Sequence, residues 1–318
     1  MQEANVFWGV DVAKAELVIA GSLKPSSPSA IGNDMASIRS WLAQLALGSV
    51  IAMESTGRYH QLLAQMATEA GMSVYVLNAK DVHFYAKALG VRGKTDKVDA
   101  VVIVRYIAEH HESLHAWQPG SPVQQRVWQL LERRAEAIKH RGSLRQTLED
   151  LPELKQAGAE LDEQFERFLK TLDEQVEALI ASDADLVCRR KNLQTVPGIG
   201  AQSSALLATL FARINFANVD AVVAYSGLDP RPCDSGTKKG RRRLSKRGSA
   251  YLRRMLYLMA FSATRTSALK PLYQGLKAKG FAPTQALVIL ARKLLRVAFA
   301  VWKSSQPFDS SQLQPKTA

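Results

Sequence analysis

Residues 5–23 read NVFWGVDVAKAELVIAGSL, and the fold class follows from them. Two apolar, β-branched runs, NVFWGVDVA and AELVIAGSL, stand almost back to back, as the arms of a hairpin do. Asp11 sits inside the first run between Val10 and Val12. A carboxylate in an apolar strand is costly to bury unless something compensates it, a metal ion being one candidate. Working outward, MASIRSWLAQLAL (35–47) has helical spacing, SVIAMEST (49–56) reads as a buried strand and RYHQLLAQMATEAG (58–71) as a helix. MSVYVLN (72–78) is a further strand, and AKDVHFYAKALG (79–90) and TDKVDAVVIVRYIAEHH (95–111) are helices. Strands alternating with helices predict an α/β domain over 1–112.

The texture then changes. From Ser121 to about Arg189, charged residues alternate with apolar ones at spacings of three and four, and Pro152 separates two long helices. This predicts a helical region over 113–190, read either as a spacer or as an antiparallel arm that dimerises. Over 191–318 the chain is mainly helical. LQTVPGIGAQSSALLATLF (193–211) has the form of a helix-hairpin-helix element, in which Gly198 and Gly200 make a tight turn and the amides opening the next helix can face a phosphate. A plain packing corner would read the same way.

Composition narrows the function. No apolar run is long enough for a membrane span. The N-terminus lacks the pattern of a signal peptide, and two cysteines without a CxxC pair fit a reducing cytoplasm. The net charge is +13, and residues 221–318 alone hold 19 Lys and Arg against 3 acids. The remaining 220 residues are therefore slightly acidic. So one-sided a charge points to a polyanionic partner, nucleic acid by default. The densest segment is the loop from Leu228 to Gly248, with Lys238, Lys239, Arg241, Arg242, Arg243, Lys246 and Arg247 as candidate phosphate contacts. Ser235 and Ser245 lie among these cations and are rival nucleophiles, with Cys233 a weaker one. No histidine follows His140, so a hydrolase triad here would need a base from elsewhere. Arg and Lys instead favour attack on phosphorus, where charge develops on phosphate oxygens.

Four acids complete the set. Asp11 lies on the first strand and Glu54 ends a central one, while Asp96 and Asp99 share one face of a following helix. This is the layout of ribonuclease-H-like nucleases, whose carboxylates converge on two divalent ions. Oxygen ligands suit Mg²⁺ or Mn²⁺ better than zinc. GVRGKT (90–95) fails the phosphate-loop spacing because its first glycine would fall at Ala88, and His110, His111 and His115 read as a polar helix end.

With these residues in place, the chain resembles the "DEDD" insertion-sequence transposases, the insertion-sequence one-ten family. The motifs are GVDVAK, MESTGRY, GKTDKVDA, VPGIG, YSGLDPRP, SGTKKGRRRLSKRG and LRRMLY, spread over nearly the whole chain. The resemblance implies an N-terminal domain similar to the Holliday-junction resolvase RuvC, a helical coiled-coil arm, and a C-terminal transposase domain whose nucleophile matches Ser235. It also implies target and donor double-stranded DNA, a structured guide RNA, and a dimer-built tetramer in which carboxylates of one subunit face the serine of another. The expected location is the bacterial cytoplasm, at the nucleoid. A hydrolytic nuclease, in which Ser235 only holds phosphate, is the alternative, and a non-catalytic RNA-binding protein is a third reading.

Overall fold

The structure is a computed structural model, which describes residues 6–22, 28–55, 57–91, 93, 95–235, 237, 240 and 242–309. Lys238, Lys239 and Arg241 lie outside the described residues. The chain forms two compact units, Met1–Pro119 and Gly120–Ala318.

The first unit is a mixed α/β sheet domain. Its elements are β1 (Phe7–Val12), β2 (Glu16–Gly21), β3 (Ser29–Gly32), α1 (Met35–Leu42), β4 (Val50–Glu54), α2 (His60–Glu69), β5 (Ser73–Leu77), α3 (Ala79–Ala88) and α4 (Asp96–His110). The sheet order is β3-β2-β1-β4-β5. β1, β2 and β3 form an antiparallel meander, while β4 and β5 add in parallel on the far side of β1. Alternation along the strands fills both faces. Val10, Val12, Leu17, Ile19, Ile51, Met53 and Val74 pack against Ile38, Trp41 and Leu42 of α1 and Leu63, Ala64 and Ala67 of α2. On the opposite face Val50, Ala52 and Leu77 meet Val82 of α3 and Val102, Ile103 and Ile107 of α4. Ala100 of α4 covers Val18 and Ala20. Sequence pattern alone misses β3. Its four residues, SAIG, are half-exposed and carry no apolar alternation, so only pairing with β2 reveals them as a strand.

The second unit is helical: α5 (Pro122–Thr147), α6 (Lys155–Ala181), α7 (Ala184–Gln194), α8 (Ala201–Arg213), α9 (Val219–Ser226), a short hairpin of β6 (Pro230–Arg231) and β7 (Arg243–Leu244), then α10 (Ala250–Ala263), α11 (Lys270–Ala278) and α12 (Pro283–Ser304). A capping box between Ser121 and Gln124, with Pro122 in the first turn, starts α5. α5 and α6 run antiparallel, because ion-pair partners that advance along one retreat along the other. Arg134 meets Asp173 at 2.5 Å, and Arg141 meets Asp162 at 2.6 Å. The helical region read as 113–190 is not a separate compact piece. At its root Val127, Trp128 and Leu131 of α5, with Val176 and Ile180 of α6, enter the same core as α8, α10 and α12. The corner from α6 into α7 is held by buried Arg190, whose guanidinium grips both carboxylate oxygens of Glu177 at 2.5 Å. That grip lowers the pKa of Glu177. α8 is buried all round from Ser203 to Phe211, as expected of a helix at the centre of a bundle.

Candidate active site

The central strand β1 carries Asp11 out of the core. Strand parity puts Asp11 on the same face as Gly9, the face that α4 covers. A Cβ built on Gly9 would lie 2.4 Å from both the Ala100 oxygen and the Val104 nitrogen of α4, so the helix backbone rests on the strand itself. This close approach needs glycine, and it brings the start of α4 over Asp11. β4 runs parallel to β1, with Gly9 opposite Ala52 and Val10 opposite Met53. One step further along both strands stand Asp11 and Glu54. Thr95 caps α4, accepting from the Val98 amide at 3.3 Å, and Asp96 and Asp99 occupy the first turn, where the helix dipole favours negative charge.

Electrostatics link Asp11 to the other three acids. The Asp11 carboxyl is pushed up to about 6, first by burial and then by the negative charges of Asp96, Asp99 and Glu54. Among the described residues no group of three or more His, Cys, Asp or Glu side chains is arranged to hold a metal ion. Asp11 nevertheless stands within electrostatic reach of three further carboxylates. Carboxylate oxygens are hard donors of the kind that a divalent cation takes. Gly9→Ala is expected to force α4 off the strand, destabilising the unit by about 1–3 kcal/mol and lowering activity. Thermal melting of the variant with a strand-cleavage assay checks this.

In the second unit, β6 pairs with β7 through Pro230–Leu244 and Arg231–Arg243, and of the described residues between the two strands 232–235, 237 and 242 are exposed, Ser235 among them. Asp234 cinches the loop. Its carboxylate accepts from the Gly240 amide at 3.1 Å and from the Arg242 guanidinium at 2.9 Å. A Cβ on Gly240 would lie 1.9 Å from the Cys233 oxygen, so the two sides of the loop touch beside Ser235. Ser245 is different. It is only 8% exposed, its amide donates to the Asp229 carbonyl at 3.0 Å, and its hydroxyl donates to the Asp229 carboxylate. Lys246, at φ 52°, turns the backbone so that its amide reaches the Gly227 oxygen at 3.1 Å. Arg253 then ties Ser226 and Gly248 together through their carbonyls. Asp229, Asp234 and Arg253 are absent from any reading of the sequence as site residues. The only hint was the acid directly before Ser235.

Arg242, Arg243, Lys246 and Arg247 are all exposed on or beside this hairpin. The VPGIG turn does join two helices, α7 and α8. Its glycines differ in role. Gly198, at φ 91°, packs so tightly on α10 that a Cβ would lie 2.6 Å from the Met259 oxygen, whereas a Cβ on Gly200 would meet open space. His110 stacks on Tyr106 at 4.6 Å, and His111 packs against Phe7. These histidines are helix-end packing groups, in line with the sequence reading.

Residues 8–156 match the DEDD transposase family of IS110, and residues 190–274 match the transposase IS116/IS110/IS902 family. The chain is 30% identical over 264 residues to the pilin gene-inverting protein of Moraxella lacunata, covering 81% of each chain. This chain belongs to the IS110/IS116/IS902 transposase family. The pilin gene-inverting protein of Moraxella bovis matches equally, at 30% over 264 residues and 81% of each chain. An uncharacterized protein of insertion element IS110 from Streptomyces coelicolor is 31% identical over 120 residues, 37% of this chain and 30% of that one. As a family member the protein is a DNA transposase or recombinase, with a mixed α/β N-terminal domain consistent with a ribonuclease-H-like transposase. Among the described residues no helix is long and apolar enough to cross a membrane.

Proposed function

We propose that this transposase cuts and rejoins double-stranded DNA through a serine ester, with Asp11, Glu54, Asp96 and Asp99 as metal ligands. The observation that carries the reading is the charge on Asp11. Burial first, and then three other carboxylates, raise its pKa, a repulsion that a cation would relieve. Mg²⁺ or Mn²⁺ held there would draw charge from the scissile phosphate.

Ser235 then supplies the nucleophile. Its oxygen attacks phosphorus, the P–O3′ bond breaks, and the proton lost from the hydroxyl is made up at the departing 3′ oxygen. A 5′-phosphoserine and a free 3′-hydroxyl result. The 3′-hydroxyl of an exchanged strand reverses the step and restores the serine. Bond energy is conserved throughout. The exposure of Ser235 supports this choice, and so does the engagement of Ser245 with Asp229. A relative named for inverting a gene supports strand exchange over simple hydrolysis.

Lys238, Lys239, Arg241, Arg242, Arg243, Lys246 and Arg247 would hold DNA phosphates, with the open Gly200 side of the VPGIG turn offering backbone amides. The family resemblance further supports a structured guide RNA and a homodimer assembling to a tetramer, with carboxylates of one subunit serving the serine of another. Trapping on a phosphorothiolate duplex tests the core of the proposal. A metal-dependent covalent adduct is expected, and cleavage without an adduct would mean metal-activated water instead.

The basic hairpin gives a separate prediction. Neutralising Arg243, Lys246 and Arg247 should weaken DNA binding evenly across sequences. The log–log salt slope should shrink by about 2–3 units if each touches one phosphate. Arg242 is left intact because its clasp on Asp234 shapes the loop. Affinities measured from low to high salt check the slope.

A further inference from the structure

The first unit is nearly neutral, yet residues 80–97 hold five of the ten Lys and Arg found in residues 1–119. α3 organises part of that charge. With Val82 buried against the sheet, a turn of 100° per residue puts Lys80, His83, Phe84 and Lys87 together on the outward face, and all four are exposed. Phe84 is 56% exposed, a large ring left in water, with the His83 ring 5.8 Å away. Asp81 turns to the flank of this face. Lys80 and Lys87 stand about 10 Å apart along the helix axis, one on each side of the ring. An exposed aromatic framed by cations matches a stacked base with its neighbouring phosphates.

The location decides which nucleic acid. α3 begins directly after Asn78, and Leu77 is the β5 residue paired with Glu54. The stripe therefore starts at the same end of the sheet as Glu54. A base inside an intact duplex offers no free face to a ring on a helix surface. We propose that Phe84, flanked by Lys80 and Lys87, is a stacking platform for an unpaired base of the DNA strand displaced beside the scissile phosphate. This rests on the carboxylates being the cleavage centre.

The test uses the full chain and a short single-stranded DNA carrying 5-iododeoxyuridine, with a 2-aminopurine version for fluorescence. Wild-type protein should crosslink to the DNA at Phe84 and change the 2-aminopurine signal. Phe84→Ala should lose the crosslink and bind single-stranded DNA about tenfold more weakly, with duplex binding and melting temperature unchanged. Phe84→Trp should restore both. Unaltered affinity in Phe84→Ala would overturn the proposal. So would a crosslink at Phe84 with RNA of the same sequence but not with DNA, or an effect of Phe84→Ala confined to self-association. Metal-dependent duplex cleavage, assayed on the same wild-type preparation, separates the two readings. Cleavage without any Phe84 effect sinks only the platform, while a Phe84 crosslink without cleavage sinks the cleavage centre.

Discussion

Asp11→Asn is expected to lower strand cleavage by on the order of a thousandfold while making the metal-free protein more stable. Both results come from one charge. Burial first, and then repulsion by Asp96, Asp99 and Glu54, lift the pKa of half-buried Asp11 to about 6. A raised carboxyl pKa means that the folded state holds the proton more tightly than the unfolded chain. Its contribution to stability is therefore present below about pH 4 and is lost as the pH rises through about 6. Asparagine keeps the volume and never ionises. In chelator the variant should melt several degrees above wild type at neutral pH, with the gap closing toward pH 4. Mg²⁺ should raise the wild-type melting point and leave the variant almost unmoved. DNA binding should survive, since the substitution removes a negative charge and leaves the cationic residues in place. Cleavage at the wild-type rate in saturating Mg²⁺ would remove Asp11 from the metal site.

The second large effect concerns the two serines. Ser235→Ala should abolish the covalent protein–DNA adduct outright, because no other hydroxyl of the exposed loop is expected to take its place. Ser245→Ala should keep the adduct and lose stability instead. Its hydroxyl is the donor to the half-hidden Asp229 carboxylate, and leaving that acceptor unpaired costs about 1–3 kcal/mol. The loop would loosen, and turnover would fall with temperature before chemistry failed. Peptide mapping of the trapped adduct, beside melting curves of both variants, reads the two outcomes separately. An adduct on Ser245 would reverse the assignment and preserve the recombinase.

Much of this was legible before any coordinates. The 5–23 hairpin, the strands ending at Glu54 and Leu77, and the helix opening on Asp96 were readable because apolar periodicity of two and of 3.6 records which face is buried. The concentration of charge in the last third pointed to a polyanion for an equally local reason. Ser235 and Ser245 could not be told apart that way. Both sit in one basic stretch, and composition carries no record of which hydroxyl a distant acid engages.

Sequence by itself determined the element types, the identities of the four acids and the basic loop, since these depend on neighbours along the chain. Tertiary structure decided where those residues stand. The edge strand β3 exists only by pairing with β2, and the hairpin around Ser235 only by the pairing of residues that lie 12 to 14 apart in sequence. Gly9 and Gly198 read alike as glycines, yet each proves to be a point where another helix rests on the chain, α4 in one case and α10 in the other. The raised pKa of Asp11 arises first from burial and then from charges that lie 43 or more residues away in sequence. Burial and Coulomb energy depend on distance through space, and that distance is set only when the chain has packed.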